Sequence, residues 1–116
     1  MTTRKERKRK ASAPASVSDR PGFLEWLKDA ENAAAYLEAV LEEGDPAGLL
    51  QALRNVAESR GGVSQIARKT GLNREALYRT LSKGGNPQLR NLTAILGATG
   101  LRLSVRPTET KIRKAA

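Results

Sequence analysis

From Phe23 onward, apolar residues recur three and four positions apart, the spacing that gives a helix one apolar face. Phe23, Leu24 and Leu27 share a face of a first short helix. Asp29 stands ahead of ENAAAYLEAVLEE as an N-cap. Ala33, Tyr36, Leu37, Val40 and Leu41 fall on one side of the helix it opens, and Gly44 ends that helix. Asp45–Pro46 opens the next helix with a cap and a Pro at the first helical position. Leu49, Leu50, Leu53, Val56 and Ala57 carry its apolar face toward Arg60, where Gly61–Gly62 stops it.

The second half of the chain repeats these devices at shorter range. Ser64 is placed to cap a helix running to Thr70, Gly71 closes it, and Asn73 caps another from Arg74 to about Leu81. KGGNP breaks the chain, and Asn86–Pro87 repeats the cap-then-Pro pair. Leu89, Leu92, Ile95 and Leu96 line the helix that follows, and Gly100 ends it. In LRLSVRP, Leu101, Leu103 and Val105 then alternate with Arg102, Ser104 and Arg106, the period of a half-buried strand. The chain offers this strand no partner. It either pairs with the same strand of a second copy or lies as an extended tail on the helices. Residues 2–20 lack apolar periodicity and read as a disordered basic arm, residues 21–107 as the folded domain, and residues 108–116 as a mobile basic end.

The stretch SQIARKTGLNREALYRTLS holds two short helical patterns meeting at Gly71. Two helices joined by a three- to four-residue turn make a helix–turn–helix. Ala67 keeps the corner small, and Gly71 can take the positive φ the turn requires. Ile66, Leu72 and Leu77 are spaced to anchor the pair, which leaves Asn73, Arg74, Glu75, Tyr78, Arg79 and Ser82 outward.

A short helix braced in this way fits the major groove of DNA. Arg74 and Arg79 can donate bidentately to guanine, and Asn73 can pair with adenine. Glu75 can accept from cytosine or orient Arg79, and Tyr78 can stack on a sugar or touch a thymine methyl. Ser64 and Gln65, at the preceding helix start, are placed for phosphate. Ser82 and Lys83 are candidates for phosphate contact as well. Lys83 with the backbone after Gly84–Gly85 can clamp the far strand, and Asn86 begins another helix N-terminus. An ordinary helical corner with a solvated basic face is the competing reading.

Charge favours the nucleic-acid reading. The net charge is +9 over 116 residues, divided as +5 in residues 1–20, −6 in 21–58 and +10 in 59–116. A basic block of this size implies a polyanionic partner. Only Glu75 is acidic between Arg60 and Val105. With no Cys and no His, the chain lacks disulfides, thiolate chemistry, Cys/His zinc sites and imidazole catalysis. No nucleophile–base pair, phosphate-cradling loop or metal cluster suggests an enzyme, and no cofactor is expected. No apolar run approaches a bilayer span, and no apolar segment follows the basic N-terminus as in a secretory signal. A cytoplasmic protein is the expectation. Aromatic residues make up 3% of the chain, so the core must be aliphatic, and self-association would support a core this small.

Residues 23–107 resemble the addiction-module antidote proteins, relatives of the HigA-type antitoxins in the Xre/lambda-repressor-like helix–turn–helix superfamily. The resemblance lies in EEGDP, SQIAR, NREALYR-LS, GNP and LRLSVRP, in that order. It implies an all-α domain of about five helices and a homodimer on a palindromic operator in the promoter of its own operon. It also implies a small basic toxin partner, typically an mRNA endonuclease of the RelE/HigB kind. The family's recognition positions fall on Asn73, Arg74, Glu75, Tyr78 and Arg79. The arm TTRKERKRK is longer and more basic than the family pattern, and Arg90–Asn91 stand where an acidic residue is common.

Two other functions compete with the antitoxin reading. A stand-alone or phage-type repressor would use the same helix without a toxin. A protein-interaction module would use the acidic stretch from Glu25 to Asp45 to neutralise a basic partner.

Overall fold

The computed structural model describes residues 19–82 and 84–108. They form six helices: α1 (Arg20–Leu27), α2 (Ala30–Glu43), α3 (Pro46–Ser59), α4 (Val63–Thr70), α5 (Arg74–Leu81) and α6 (Leu89–Ala98). The all-α expectation holds, with one helix more than the five expected.

Capping chemistry sets most of the boundaries. Asp29 Oδ1 accepts from the amides of Glu31 and Asn32 at 2.8 and 3.3 Å. Asp45 Oδ1 accepts from Ala47 N at 3.2 Å, with Pro46 as the first helical residue. A cap was overlooked at α1, where Asp19 Oδ1 accepts from Gly22 N at 3.2 Å. Asp19 and Arg20 therefore belong to the folded unit and not to the arm. The remainder of the expected arm, residues 1–18, lies outside the described residues.

Helices α3 and α6 stop in the same way. Gly62 N donates to Ala57 O at 2.9 Å and Gly61 N to Glu58 O at 3.1 Å. Leu101 N donates to Leu96 O at 2.8 Å and Gly100 N to Gly97 O at 3.1 Å. These are paired Schellman closures, with Gly61 and Gly100 at positive φ of 101° and 87°.

Helix α3 is the hub and packs against α1, α2, α4 and α5, while α6 packs on α4. Leu53, Val56 and Ala57 of α3 meet Leu27, Ala33, Leu37, Ile66, Leu77, Leu81, Ile95 and Leu96 in one core. Burying each large aliphatic side chain contributes about 1.5–3 kcal/mol. Phe23 packs edge-on against Tyr36 at 5.3 Å between ring centroids and stacks on Trp26 at 6.2 Å. The expected apolar faces are shorter than the pattern suggested. Leu41 is 52% exposed and Leu89 is 68% exposed, because each lies at a helix end beyond the reach of a packing partner.

Among the described residues there is no strand, which corrects the expected C-terminal β-strand. Residues 101–107 carry the alternating pattern, but a strand is defined by its ladder and a single copy offers nothing to pair with. The described part of the tail, Thr108, is exposed, and residues 109–116 lie outside the described residues.

Polar side chains of α3 lock the helices together. Asn55 Oδ1 accepts from Arg20 Nη2 at 3.0 Å and from Gln51 Nε2 at 3.2 Å, and its Nδ2 donates to Tyr36 OH at 2.8 Å. Arg20 also pairs with Glu58 at 2.6 Å. Just past α3, Arg60 donates from Nη1 to Leu27 O at 2.8 Å and from Nη2 to Thr99 O at 3.2 Å. One guanidinium thus satisfies carbonyls at the ends of α1 and α6. Burial lowers the pKa of Arg60 from the ordinary arginine value, and the nearby Asp29 charge acts in the opposite direction. The fold disfavours the charged form relative to the unfolded chain, so this small cost applies at every pH below the lowered pKa and fades only above it.

Candidate nucleic-acid interface

Helix α4 begins two residues before the start that a Ser64 cap would set. Gly62 occupies the N-cap position with φ 97° and supplies no side-chain cap. Ser64, the expected cap, is instead the second residue of the helix. The reason lies upstream: the Gly61–Gly62 closure of α3 leads the backbone directly into Val63, leaving no extended residue for Ser64 to occupy. Ser64 is half-buried, and its Oγ accepts from Arg74 Nη1 at 3.3 Å. Gln65 beside it is exposed.

The corner itself follows the expectation. Gly71 sits at φ 78° and donates its N–H to Ala67 O at 2.8 Å. Thr70, which the sequence reading overlooked, fixes the next step: its hydroxyl donates to Ile66 O at 2.8 Å and accepts from Leu72 N at 3.1 Å. A Thr in the last turn before a closing Gly is the sequence signal for this bond. Ile66 is buried on the α4 side, Leu77 and Leu81 on the α5 side, and Leu72 and Ala67 are half-buried between them.

Asn73 caps α5, its Oδ1 accepting from Ala76 N at 2.9 Å. Arg74, Glu75, Tyr78, Arg79 and Ser82 are exposed, as is Asn73. Leu77 and Leu81 fix which side of α5 faces the core, so these polar residues take the other side. Two details differ from the sequence reading. Glu75 and Arg79 form no ion pair among the described residues, so Arg79 is not held by its neighbour. The Asn73 oxygen is engaged in capping, so any adenine contact must share it. Ser82 Oγ donates to Arg79 O at 2.8 Å, turned back on the end of α5.

The segment after α5 is tighter than expected. Gly85 N donates to Ser82 O at 2.8 Å, and a Cβ on Gly85 would run into the backbone carbonyl of Thr80. Asn86 is exposed and does not hold the N-cap position of α6. Gln88 holds the N-cap position of α6 and supplies no side-chain bond. The expected Asn86–Pro87 start is therefore corrected. The helix begins where Leu92, Ile95 and Leu96 reach α4 and the core, and packing overrides the cap signal. Lys83 lies outside the described residues.

Arg54 is a further residue that the sequence reading did not single out. From α3 it donates to the Leu81 carbonyl at the end of α5 and to Gln51 Oε1 at 2.5 Å. It ties the C-terminus of α5 to the hub, while Asn73 organises the N-terminus. A lone Arg among the apolar positions of α3 was the available signal.

The resulting surface carries Arg68, Lys69, Arg74 and Arg79 against Glu75 across α4 and α5. It is rich in donors, and its first turns carry amides that helical bonding leaves free. It suits an extended polyanion better than a small enclosed ligand. Among the described residues no cluster of acidic, Cys or His side chains could hold a metal ion, and no helix is long and apolar enough to cross a membrane.

The profile of a family described as "Probable addiction module antidote protein" matches residues 21–107. The chain belongs to this addiction-module antidote family. An uncharacterized protein of Haemophilus influenzae is 37% identical over 81 residues, covering 70% of this chain and 82% of the relative. No solved structure matches significantly. Family membership carries an antidote role within a toxin–antitoxin system, and with it a toxin as partner.

Proposed function

We propose that this antidote-family chain is a sequence-specific DNA-binding repressor of the lambda-repressor-like helix–turn–helix type, with α4 and α5 as its helix–turn–helix. The observation that carries the reading is the two-sided character of α5. Leu77 and Leu81 are buried, while Arg74, Glu75, Tyr78 and Arg79 stand exposed beside an Asn73 cap. A solvated helix face would serve as well with Lys and Glu alone. Side chains able to read bases, presented together on a short braced helix, favour the major groove.

In this reading Arg74 and Arg79 contact guanine edges, and Tyr78 packs on the sugar or a thymine methyl. Gln65 and the first turn of α4 meet phosphate, with Ser64 positioning Arg74. Two copies bind a palindrome with their α5 helices one helical turn apart, about 34 Å. The DNA is the operator of the protein's own operon in a bacterial cytoplasm, and the toxin neutralised is a basic mRNA endonuclease of the RelE/HigB kind. The test is a gel shift of the pure protein on its own upstream promoter, with and without excess random DNA. Retention of the complex against random DNA supports the reading, and loss of it removes sequence specificity.

A second surface supports the neutralising role. Helix α2 and its C-terminal turn expose Glu31, Glu38, Glu42, Glu43 and Asp45. This face is acidic where the α4–α5 face is basic, and it suits a basic toxin. Reversing the sign of Glu42 and Glu43, which lie apart from the Glu38–Arg106 pair, should weaken capture of that toxin without altering the gel shift.

A further inference from the structure

Residues 101–107 form neither helix nor turn and are joined at both ends to the helical body. Leu101 N donates to Leu96 O at 2.8 Å, and Arg106 Nη2 pairs with Glu38 Oε2 at 3.2 Å. Between these anchors, the backbone groups of residues 102–105 make no hydrogen bond among the described residues. The apolar side chains are also incompletely covered: Leu103 is 44% exposed and Val105 is 97% exposed. Beneath the segment runs an apolar groove of about 160 Å³, lined by Leu37, Leu41, Leu49, Leu92, Leu96 and Leu101 among others. That volume matches cavities of about 150 Å³ that take up a benzene ring, so it has room for an aliphatic side chain.

We infer that the groove and this segment form the homodimer interface, and that the occupant is the same segment of a second copy, running antiparallel in a register centred on Leu103. The inference deepens the dimeric reading proposed above by naming its surface. In an antiparallel pair, alternate residues turn both backbone groups toward the partner. The N–H of Leu101 is already spent on Leu96, so the odd positions face away from the partner strand and the even positions face it. Arg102 then exchanges backbone bonds with Ser104 of the second copy, and the reverse holds by symmetry.

The same register brings the apolar side chains together. Leu103 meets its own symmetry mate, and Val105 of each copy lies across from Leu101 of the other, at the groove. Its near-complete exposure in one copy is what a side chain destined for the other copy's groove would show. The next register, centred on Ser104, sets Arg102 against Arg106 of the second copy, and like charges directly opposite are destabilising. The register centred on Leu103 sets Arg102 against Ser104. Self-complementarity of this kind is what a two-fold interface requires.

The chain contains no cysteine, so single introduced cysteines report the register directly. Residues facing each other in a non-hydrogen-bonded pair lie about 4.5 Å apart between Cα atoms, within the range a disulfide spans. Full-length Leu103→Cys, Ser104→Cys and, as a collision control, Glu43→Cys would be oxidised under mild conditions without DNA. Sedimentation equilibrium of Val105→Asp would accompany them. Since Val105 is exposed, that variant should fold, which circular dichroism would verify. The inference expects rapid covalent dimerisation of Leu103→Cys, background rates for the other two, and at least about tenfold weaker dimerisation of Val105→Asp. Faster cross-linking of Ser104→Cys overturns the register. A monomeric wild type, or a Val105→Asp dimer as tight as wild type, overturns the interface. A dimer that cross-links as expected but ignores the promoter would sink only the repressor reading, while specific promoter binding by a monomer would sink only the interface.

Discussion

Arg74 Nη1, on the first residue of α5, donates to Ser64 Oγ in the first turn of α4 at 3.3 Å. The bond joins the two helices of the corner on their solvent side, opposite the buried contact of Ile66 with the core. It restrains a long cation that would otherwise sample many rotamers. In the proposed complex, Arg74 would thus lose less side-chain entropy on binding. Ser64→Ala should leave the melting temperature nearly unchanged, because both groups are solvated. It should weaken operator binding by roughly 0.5–1.5 kcal/mol, the net value of one such bond. Fluorescence anisotropy beside a thermal melt separates the two effects.

Arg79 differs in having, among the described residues, no partner that holds its guanidinium. Arg79→Ala should cost roughly 1–3 kcal/mol of operator affinity and relax preference at one base position, as for loss of a bidentate guanine contact. The check is a gel-shift series over single-base variants of the operator. A uniform loss across all variants would mean that Arg79 touches phosphate instead of a base.

Asn73 serves the fold and is proposed to serve recognition, and substitution can separate the two. Asn73→Ala removes the cap and should lower stability by about 1 kcal/mol, read by urea denaturation. Asn73→Asp keeps an oxygen for Ala76 N and should retain that stability. Its added negative charge beside phosphates should still weaken DNA binding.

The two glycines flanking α5 should respond unequally to alanine. At Gly71 the space for a Cβ is open, and only its φ of 78° resists the change. The cost should be about 1 kcal/mol. At Gly85 the added carbon meets the Thr80 carbonyl, so the turn after α5 must move. Gly85→Ala should therefore cost more than Gly71→Ala in chemical denaturation, and equal costs would contradict the packing of that turn.

Arg60 should not be replaceable by Lys. Its fork reaches Leu27 O and Thr99 O together. An ammonium is a point donor that cannot match that geometry. Arg60→Lys should destabilise the fold by about 1–3 kcal/mol, the cost of leaving such groups unmet, as read by the denaturation midpoint.

Where a boundary was set by local chemistry, the sequence revealed it. Asp29, Gly44, Asp45–Pro46, Gly61–Gly62, Gly71, Asn73 and Gly100 act as their side chains or lack of one dictate. Where tertiary contacts compete, local signals failed. Ser64 is overridden by the closure of α3 and Asn86–Pro87 by the packing of α6. The strand pattern in 101–107 is real in sequence, but a ladder requires a second strand. Arg54, Asn55 and Arg60 were missed because each gains its role from a carbonyl or hydroxyl 19 or more residues away. No spacing rule encodes such a contact. The outward set on α5 was legible because a helix with its buried positions fixed has its exposed positions fixed too.

The central claim is that the Asn73–Arg79 surface of α5 meets DNA. The most direct measurement is a titration of isotope-labelled protein with a duplex of its own upstream promoter, followed by amide chemical shifts. The account predicts that the largest changes fall on residues 64–65 and 73–82, with the acidic face of α2 unaffected. Changes concentrated on α2, or none on α5 at saturation, would contradict it.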